Sequence, residues 1–208
     1  MIKILIADDH PIVRQGLKQI ISEEPAMQVL GEAQNSQEVL ELVRKKNWDV
    51  VVLDITMPGR SGLDVLKELK THRPRLPILI LSVHPEDQFA LRVLRAGASG
   101  YLTKESAPDV LVTAIRKVVA GRRYISATLA EKLAGELVGE PGPVHERLSD
   151  REFQIMCMIA RGKSLKEIAG ELFLSPKTVS TYRGRILEKM GMASNAELTR
   201  YLIEHHLS

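Results

Sequence analysis

Three stretches of the chain are short and almost wholly apolar: Ile2–Ala7, Val50–Leu53 and Ile78–Leu81. Runs of this kind suit strands covered on both faces, where neither face meets water. Met27–Ala33 is more mixed and reads as an edge strand, and Gly100–Thr103 supplies a fifth. Between these runs the apolar spacing becomes helical, over Pro11–Ile21, Ser36–Lys46, Gly62–Lys70, Asp87–Ala96 and Pro108–Ala120. Strands that alternate with helices in this way predict a parallel, doubly wound sheet with right-handed crossovers.

The texture changes after residue 122. Ala127–Leu137 reads as a helix leading out of the first domain. Gly139-Glu140-Pro141-Gly142-Pro143 then forms a run that no regular element accepts. The expected division is a first domain over 1–122, a linker over 123–146 and a second domain over 147–208. The second domain is all helix, with clear punctuation. Ser149 with Glu152 makes a capping box, and Gly162 closes that helix. Ser164 with Glu167 opens another, ending near Leu172. Ser175 followed by Pro176 starts a third that runs to Gly191, and Ser194 with Glu197 opens a short last one. The tight Phe173-Leu174 turn before the third helix gives a helix-turn-helix layout.

Charge adds little at the level of the whole chain, whose net charge is +3 over 208 residues. It matters locally. Over 175–191, Lys177, Arg183, Arg185 and Lys189 face only Glu188, and a basic helix is suited to DNA. No apolar run approaches the roughly 20 residues of a membrane helix, and Asp8 and Asp9 interrupt anything like a signal peptide. The one cysteine, Cys157, sits in an apolar helical pattern and reads as core packing. A cytoplasmic protein with no membrane contact is expected.

Candidate chemistry gathers at strand ends. Asp8 and Asp9 follow the first strand, and Asp54 follows the third. In a sheet of order 2-1-3-4-5 these strands are neighbours, and ligands bind in the crevice at their carboxyl ends. Met57-Pro58-Gly59 then turns the chain and is expected to leave Asp54 exposed at the rim. Clustered carboxylates repel one another, and Mg2+ with oxygen ligands relieves this where a phosphate must also enter. Ser82 ends the fourth strand and Lys104 follows the fifth, a hydroxyl and an ammonium suited to phosphoryl oxygens. Asp54 would then be a nucleophile giving an acyl phosphate.

These residues carry a resemblance. Ile-Ala-Asp-Asp-His-Pro-Ile-Val-Arg-Gln-Gly-Leu (6–17), Asp-Ile-Thr-Met-Pro-Gly-Arg-Ser-Gly (54–62) and Gly-Tyr-Leu-Thr-Lys (100–104) resemble the receiver domain of bacterial response regulators. The resemblance implies a flavodoxin-like α/β receiver. It implies that Asp54 is the phosphoacceptor, and that Mg2+ is held by Asp9, Asp54 and the Thr56 carbonyl, with Asp8 acting largely through water. It also implies that Lys104 contacts the phosphoryl group and that Ser82 and Tyr101 form a switch pair. In that pair the hydroxyl moves to the phosphate and the ring turns inward. Thr56 and His84 match positions that tune phosphoryl lifetime. Many receivers have proline after the lysine, whereas this chain has Glu105.

The helix after Ser175 divides cleanly. Val179, Ile186 and Met190 form its buried stripe, with Leu187 and Tyr182 at the margins. Lys177, Thr181, Gly184 and Glu188 point away, flanked by Ser180 and Arg185. Such a face fits a major groove, with cations on phosphates and small polar groups near base edges. Leu-Ser-Asp-Arg-Glu (148–152), Ile-Ala-Arg-Gly-Lys-Ser-Leu-Lys-Glu-Ile-Ala (159–169) and Leu-Ser-Pro-Lys-Thr-Val-Ser-Thr-Tyr-Arg (174–183) resemble the LuxR-type helix-turn-helix. The whole chain resembles a NarL/FixJ-class response regulator, and its second domain the GacA/UvrY-like branch. This implies a DNA-contact set of Lys177, Thr178, Ser180, Thr181, Arg183, Gly184 and Arg185. Relatives have base-reading lysines where this chain has Ser180 and Gly184. Arg185 is the better substitute cation, since Arg183 lies nearer the buried stripe.

The implied function is a phosphorylation-switched transcription regulator, not a turnover enzyme. Its partners would be a sensor histidine kinase and double-stranded DNA, with a homodimer on phosphorylation or DNA binding. Two rivals remain. One is a phosphatase with an Asp nucleophile, though such enzymes place nucleophile and acid two residues apart and here the acids are adjacent. The other keeps the receiver but makes the helical domain a protein-binding module.

Overall fold

The computed structural model describes every residue except 58, 59, 85, 127, 128, 132–142, 206 and 208, and the backbone alone of 87 and 88. The chain divides into two compact units, 1–131 and 132–208. Most of the expected linker helix, and the Gly-Pro run as far as 142, lie outside the described residues.

The first unit holds strands β1 (Ile2–Ala7), β2 (Met27–Ala33), β3 (Val50–Asp54), β4 (Ile78–Ser82) and β5 (Gly100–Thr103). Between and after them come helices α1 (Pro11–Ser22), α2 (Ser36–Lys45), α3 (Gly62–His72), α4 (Glu86–Arg95) and α5 (Ala107–Val119). The strands pair in parallel in the order β2-β1-β3-β4-β5, which leaves the mixed β2 at an edge. Every residue of β3 and β4 is buried, as their unbroken apolar runs require. On one face Ile4, Ile6, Val50, Val52, Leu79 and Leu81 pack with Leu17 and Ile21 of α1 and Leu111, Ile115 and Val118 of α5. The alternate residues Leu5, Val51, Leu53, Ile78 and Ile80 are equally buried on the other face. Each such side chain contributes roughly 1.5–3 kcal/mol by leaving water.

The strands run one residue further than the apolar pattern alone indicates. Asp54 and Ser82 are the last residues of β3 and β4 and so are held by sheet hydrogen bonds. After α5 the chain returns along β5. Tyr124 donates its amide to Ser99 O at 2.9 Å and accepts from the Tyr101 amide at 3.3 Å.

In the second unit, α6 (Asp150–Ala160), α7 (Leu165–Glu171), α8 (Pro176–Met190) and α9 (Asn195–Glu204) follow a short 3-10 turn over Val144–Arg147. The predicted capping box forms at Ser149/Glu152, and a second one forms at Ser164/Glu167. Ser194 also caps α9, accepting from the Glu197 amide at 3.3 Å. Glu197 reaches past Ser194 to the Ala193 amide at 3.0 Å, so this cap is no reciprocal box. Gly191 closes α8 in the left-handed region at φ 65°, which a residue without a Cβ enters freely. Phe173 in the tight turn takes φ 54°, a strained choice for an L side chain. Phe153, Cys157, Ile168, Val179, Ile186, Leu198 and Leu202 form the core. Among the described residues, no helix is long and apolar enough to cross a membrane.

Gly62 ties the sheet to the loop after Asp54. Its amide donates to Ile55 O at 3.1 Å. A Cβ there would lie 2.5 Å from Ile55 Cα and 2.8 Å from Asp54 O. Backbone cannot yield as a flexible side chain can. Gly62→Ala is therefore predicted to destabilise the first unit by about 1–3 kcal/mol, measured by denaturant unfolding. An unchanged midpoint would show that the start of α3 is free to move.

Candidate functional site

Three carboxylates and one ammonium meet at the carboxyl end of the sheet. Asp8 and Asp9 lie just past β1, and Asp54 ends β3, with Ala7 in register with Leu53. Lys104 follows β5, and its amide donates to Ser82 O at 2.7 Å. Lys104 Nζ lies 2.7 Å from Asp8 Oδ2 and 2.7 Å from Asp54 Oδ2. Asp8 is wholly buried, and Asp54 is 1% exposed. The expectation of an exposed Asp54 at the rim is thus corrected. As the last strand residue it lies within the sheet and beneath Lys104, and its Oδ1 accepts the Thr56 amide at 2.8 Å.

The pocket is short of positive charge. Burial pushes the Asp54 pKa above the ordinary carboxylate value; Lys104 pulls it back and Asp8 pushes it further up. Burial also opposes the Lys104 charge, but Asp54 and Asp8 outweigh it and hold that pKa above the ordinary lysine value. One donor atom each from Asp8, Asp9, His10 and Asp54 lies within 4.8 Å of the others. Three hard carboxylates compensated by one ammonium fit a divalent cation with oxygen ligands. Thr56 Oγ1 is buried with no hydrogen bond among the described residues.

The predicted switch residues cluster nearby. Ser82 is wholly buried at the end of β4, and its Oγ accepts the His84 amide at 3.1 Å. The Tyr101 ring is already turned inward, 3% exposed, and its hydroxyl donates to His84 O at 2.8 Å. His84 stacks on Phe89, with centroids 4.6 Å apart.

Two supporting residues escaped the sequence reading. His10 donates its amide to Asp8 Oδ1 at 2.8 Å, and its Nδ1 lies 2.8 Å from Asp9 Oδ1. Arg14, buried on the core side of α1, donates to the Asp8 backbone carbonyl at 2.7 Å and to Glu32 at 3.2 Å. The available signal was an arginine in step with Leu17 and Ile21 on an apolar stripe.

In the second unit, α8 buries Val179, Ile186 and Met190. Lys177, Ser180, Thr181, Gly184, Arg185 and Glu188 are exposed, while Thr178 and Arg183 are half-buried. Thr178 bonds the cap through Ser175 Oγ at 2.8 Å, and Thr181 Oγ1 donates to Lys177 O at 3.0 Å. Arg183 Nε donates to Asn195 Oδ1 at 2.6 Å, which draws it toward α9. Lys177 and Arg185 make no ion pair among the described residues. Around Gly184 a Cβ would meet nothing within 4 Å, so packing does not require glycine there.

Residues 4–116 match the family described as response regulator receiver domain, and residues 146–202 match bacterial regulatory proteins, luxR family. This chain is a response regulator of the NarL/FixJ family. The regulator is 40% identical over 207 residues to response regulator GacA of Pseudomonas aeruginosa, covering 99% of this chain and 97% of that protein. It is 39% identical over 210 residues to response regulator UvrY of Escherichia coli K12, covering 100% and 96%. Among solved structures it is similar to RcsB from Salmonella enterica serovar Typhimurium bound to promoter rprA in the presence of the phosphomimetic BeF3−. That similarity has TM-score 0.68 and 27% identity, over 97% of this chain and 98% of RcsB. The regulator joins a receiver to a LuxR-type DNA-binding domain, and phosphorylation controls its action on transcription.

One cation counted toward the regulator's basic helix is already committed. Lys189 Nζ lies 2.6 Å from Glu152 Oε2, whose side chain is 4% exposed. The local excess that α8 can offer is smaller than its sequence indicates. Burial opposes the Glu152 charge, but Lys189 and the Ser149 cap outweigh it and hold the pKa below the ordinary value. A depressed carboxylate pKa contributes stability that is present above the ordinary value and lost as pH falls through the folded one. Lys189→Ala is predicted to cost the second unit about 1 kcal/mol near neutral pH, and nothing in acid where Glu152 is protonated. Thiol labelling of the buried Cys157 in the full chain reads this opening. Equal labelling of variant and wild type near neutral pH would remove the pair from the account.

Proposed function

We propose that Asp54 accepts a phosphoryl group from a sensor histidine kinase and that Asp9, Asp54 and the Thr56 carbonyl hold Mg2+, with Asp8 acting largely through water. The observation that carries this reading is Lys104 Nζ placed 2.7 Å from two buried carboxylates, a site whose acids outnumber its cations. An Asp54 oxygen attacks phosphorus, the bond from phosphorus to the donor nitrogen breaks, and an acyl phosphate forms. A bound Mg2+ supplies charge neutralisation for the phosphoryl oxygens. Lys104 exchanges its contact with the Asp54 carboxylate for one with a phosphoryl oxygen. Ser82 leaves the His84 amide to donate to the phosphoryl group, and the inward Tyr101 holds the same loop from the other side.

The adjacent acids and the similarity to the response regulators GacA and UvrY favour a covalent switch over a turnover phosphatase. The change around Ser82 and Tyr101 passes to the α4–β5–α5 side of the first domain (1–122) and then to the linker over 123–146. The second domain (147–208) then binds double-stranded DNA in the cytoplasm, as a homodimer on two half-sites. Lys177 and Arg185 meet phosphates. Ser180, Thr181 and Gly184 form a low face for close approach to base edges. Thr178 orders the helix start. Arg183 is the weakest member of the set, because Asn195 already engages it.

Acetyl phosphate with Mg2+ is expected to add one phosphoryl group to the wild type and none to Asp54→Asn, read by intact mass. Equal labelling would sink the assignment. Lys177→Ala and Arg185→Ala should each weaken binding to a DNA site selected by the phosphorylated protein. Each should also flatten the dependence of log affinity on log salt by about 0.9 for each bound copy of the chain. An unaltered salt dependence in both would favour the protein-binding reading of this domain.

A further inference from the structure

The end of the receiver sheet away from Asp54 carries a second concentration of charge. A cleft of about 420 Å3 lies at the amino ends of β4 and β5. Its lining includes Lys70, Arg75, Arg122, Arg123 and Ser99 and, among the described residues, no carboxylate. A neighbouring cleft of about 530 Å3 shares Arg75 and adds Lys46, His72 and Arg73 against, among the described residues, one acid, Asp49. Asp49 is engaged already, accepting the Lys3 amide at 2.7 Å.

Lys70 is the informative member. It is half-buried, with its stem near Gly97, and its Nζ donates to Leu76 O at 2.7 Å and Pro74 O at 3.4 Å. Burial lowers its pKa below the ordinary value, and the Arg123 charge lowers it further. Its ammonium is thus hydrogen-bonded but not neutralised. Lys70, Arg75, Arg122 and Arg123 take part in no ion pair among the described residues. Several other surface cations of the domain are paired: Arg44 and Arg60 with Glu68, Lys18 with Glu32, Arg116 with Glu24.

Helix dipoles explain only part of this. Lys70 lies in the last turn of α3, where carbonyls attract cations. Arg75, Arg122 and Arg123 lie beyond the ends of α3 and α5, so the dipole does not call for them. Like charges gathered without counter-ions repel one another. Planar guanidinium groups beside a fixed ammonium match the oxygens of phosphate.

We propose that the cleft bounded by Lys70, Arg75, Arg122 and Arg123 is a second anion site of the regulator, one that binds phosphate groups it does not transfer. Those groups come from the backbone of DNA or from a free oligophosphate. The DNA source rests on the reading of the second domain as a DNA binder; the oligophosphate source does not.

The test uses the full-length chain. Arg75→Ala, Arg122→Ala and Arg123→Ala are combined in one variant. A control combines Lys18→Ala, Arg44→Ala and Arg116→Ala, which removes the same charge elsewhere on the domain. Unchanged labelling by acetyl phosphate shows that both fold. Affinity for a duplex of unrelated sequence is measured against salt, and inorganic tripolyphosphate is titrated calorimetrically at constant ionic strength.

If DNA is the source, the arginine variant flattens the salt slope by roughly 2–3, at about 0.9 per phosphate contact, and the control by less than about 1. If a free oligophosphate is the source, the duplex slopes match. Wild type and control then bind tripolyphosphate at least about tenfold more tightly than the arginine variant, a difference of about 1.4 kcal/mol. If variant and control agree in both measurements, the proposal is overturned. The Lys177→Ala and Arg185→Ala variants report on the second domain separately, so failure of one site does not pass for failure of the other.

Discussion

Lys104, held between the buried carboxylates of Asp8 and Asp54, is the interaction on which the receiver's chemistry depends. Two charges out of water cost several kcal/mol each unless paired, and one ammonium cannot satisfy the acids gathered there. The pocket therefore favours added positive charge and accepts an anion only with it. That imbalance fits a site able to gain a phosphoryl group and later lose it. A fully neutralised pocket would have no reason to respond.

The fold serves this constraint through register. Asp54 pairs with Leu81 across the β3–β4 ladder, and Ser82 pairs with Thr103 across β4–β5. A slip of one residue would send every side chain of a strand to the opposite face, mismatching both buried layers as well as scattering the site. The core and the chemistry are thus fixed by the same hydrogen bonds. Arg14 extends the arrangement by gripping the Asp8 carbonyl from α1. In the second unit the serine caps define where each helix begins, and Glu152 serves two of its elements at once. It closes the α6 capping box and pairs with Lys189 of α8. Helix α8 is thereby anchored near its far end, while side chains of its amino-terminal part such as Lys177, Ser180 and Thr181 are exposed.

Most of the fold was legible in the residues. Unbroken apolar runs marked the buried strands, the mixed run marked the edge, and serines three residues before glutamates marked helix starts. Those signals are local, since each depends on spacing along a few turns of chain. The acids were legible for the same reason: a strand must end somewhere, and a polar residue at that point lies at the rim of a crevice. What spacing does not convey is depth. Asp54 follows an apolar run and precedes a turn, a pattern that fits an exposed or a buried carboxylate equally well. Lys104 decides between them, from 50 residues away.

The sequence by itself determined the strand and helix order, the caps, the acid cluster and the two family resemblances, because all of these are written in short-range patterns. Only the tertiary structure decided which charges are spent and which are free. Lys189 looks available beside Arg185 until Glu152 reaches it from another helix. Arg75 looks like an ordinary loop arginine until Arg122 and Arg123 are brought to the same cleft. Electrostatic pairing depends on distance in space, and a linear pattern carries no measure of that distance between residues far apart in the chain.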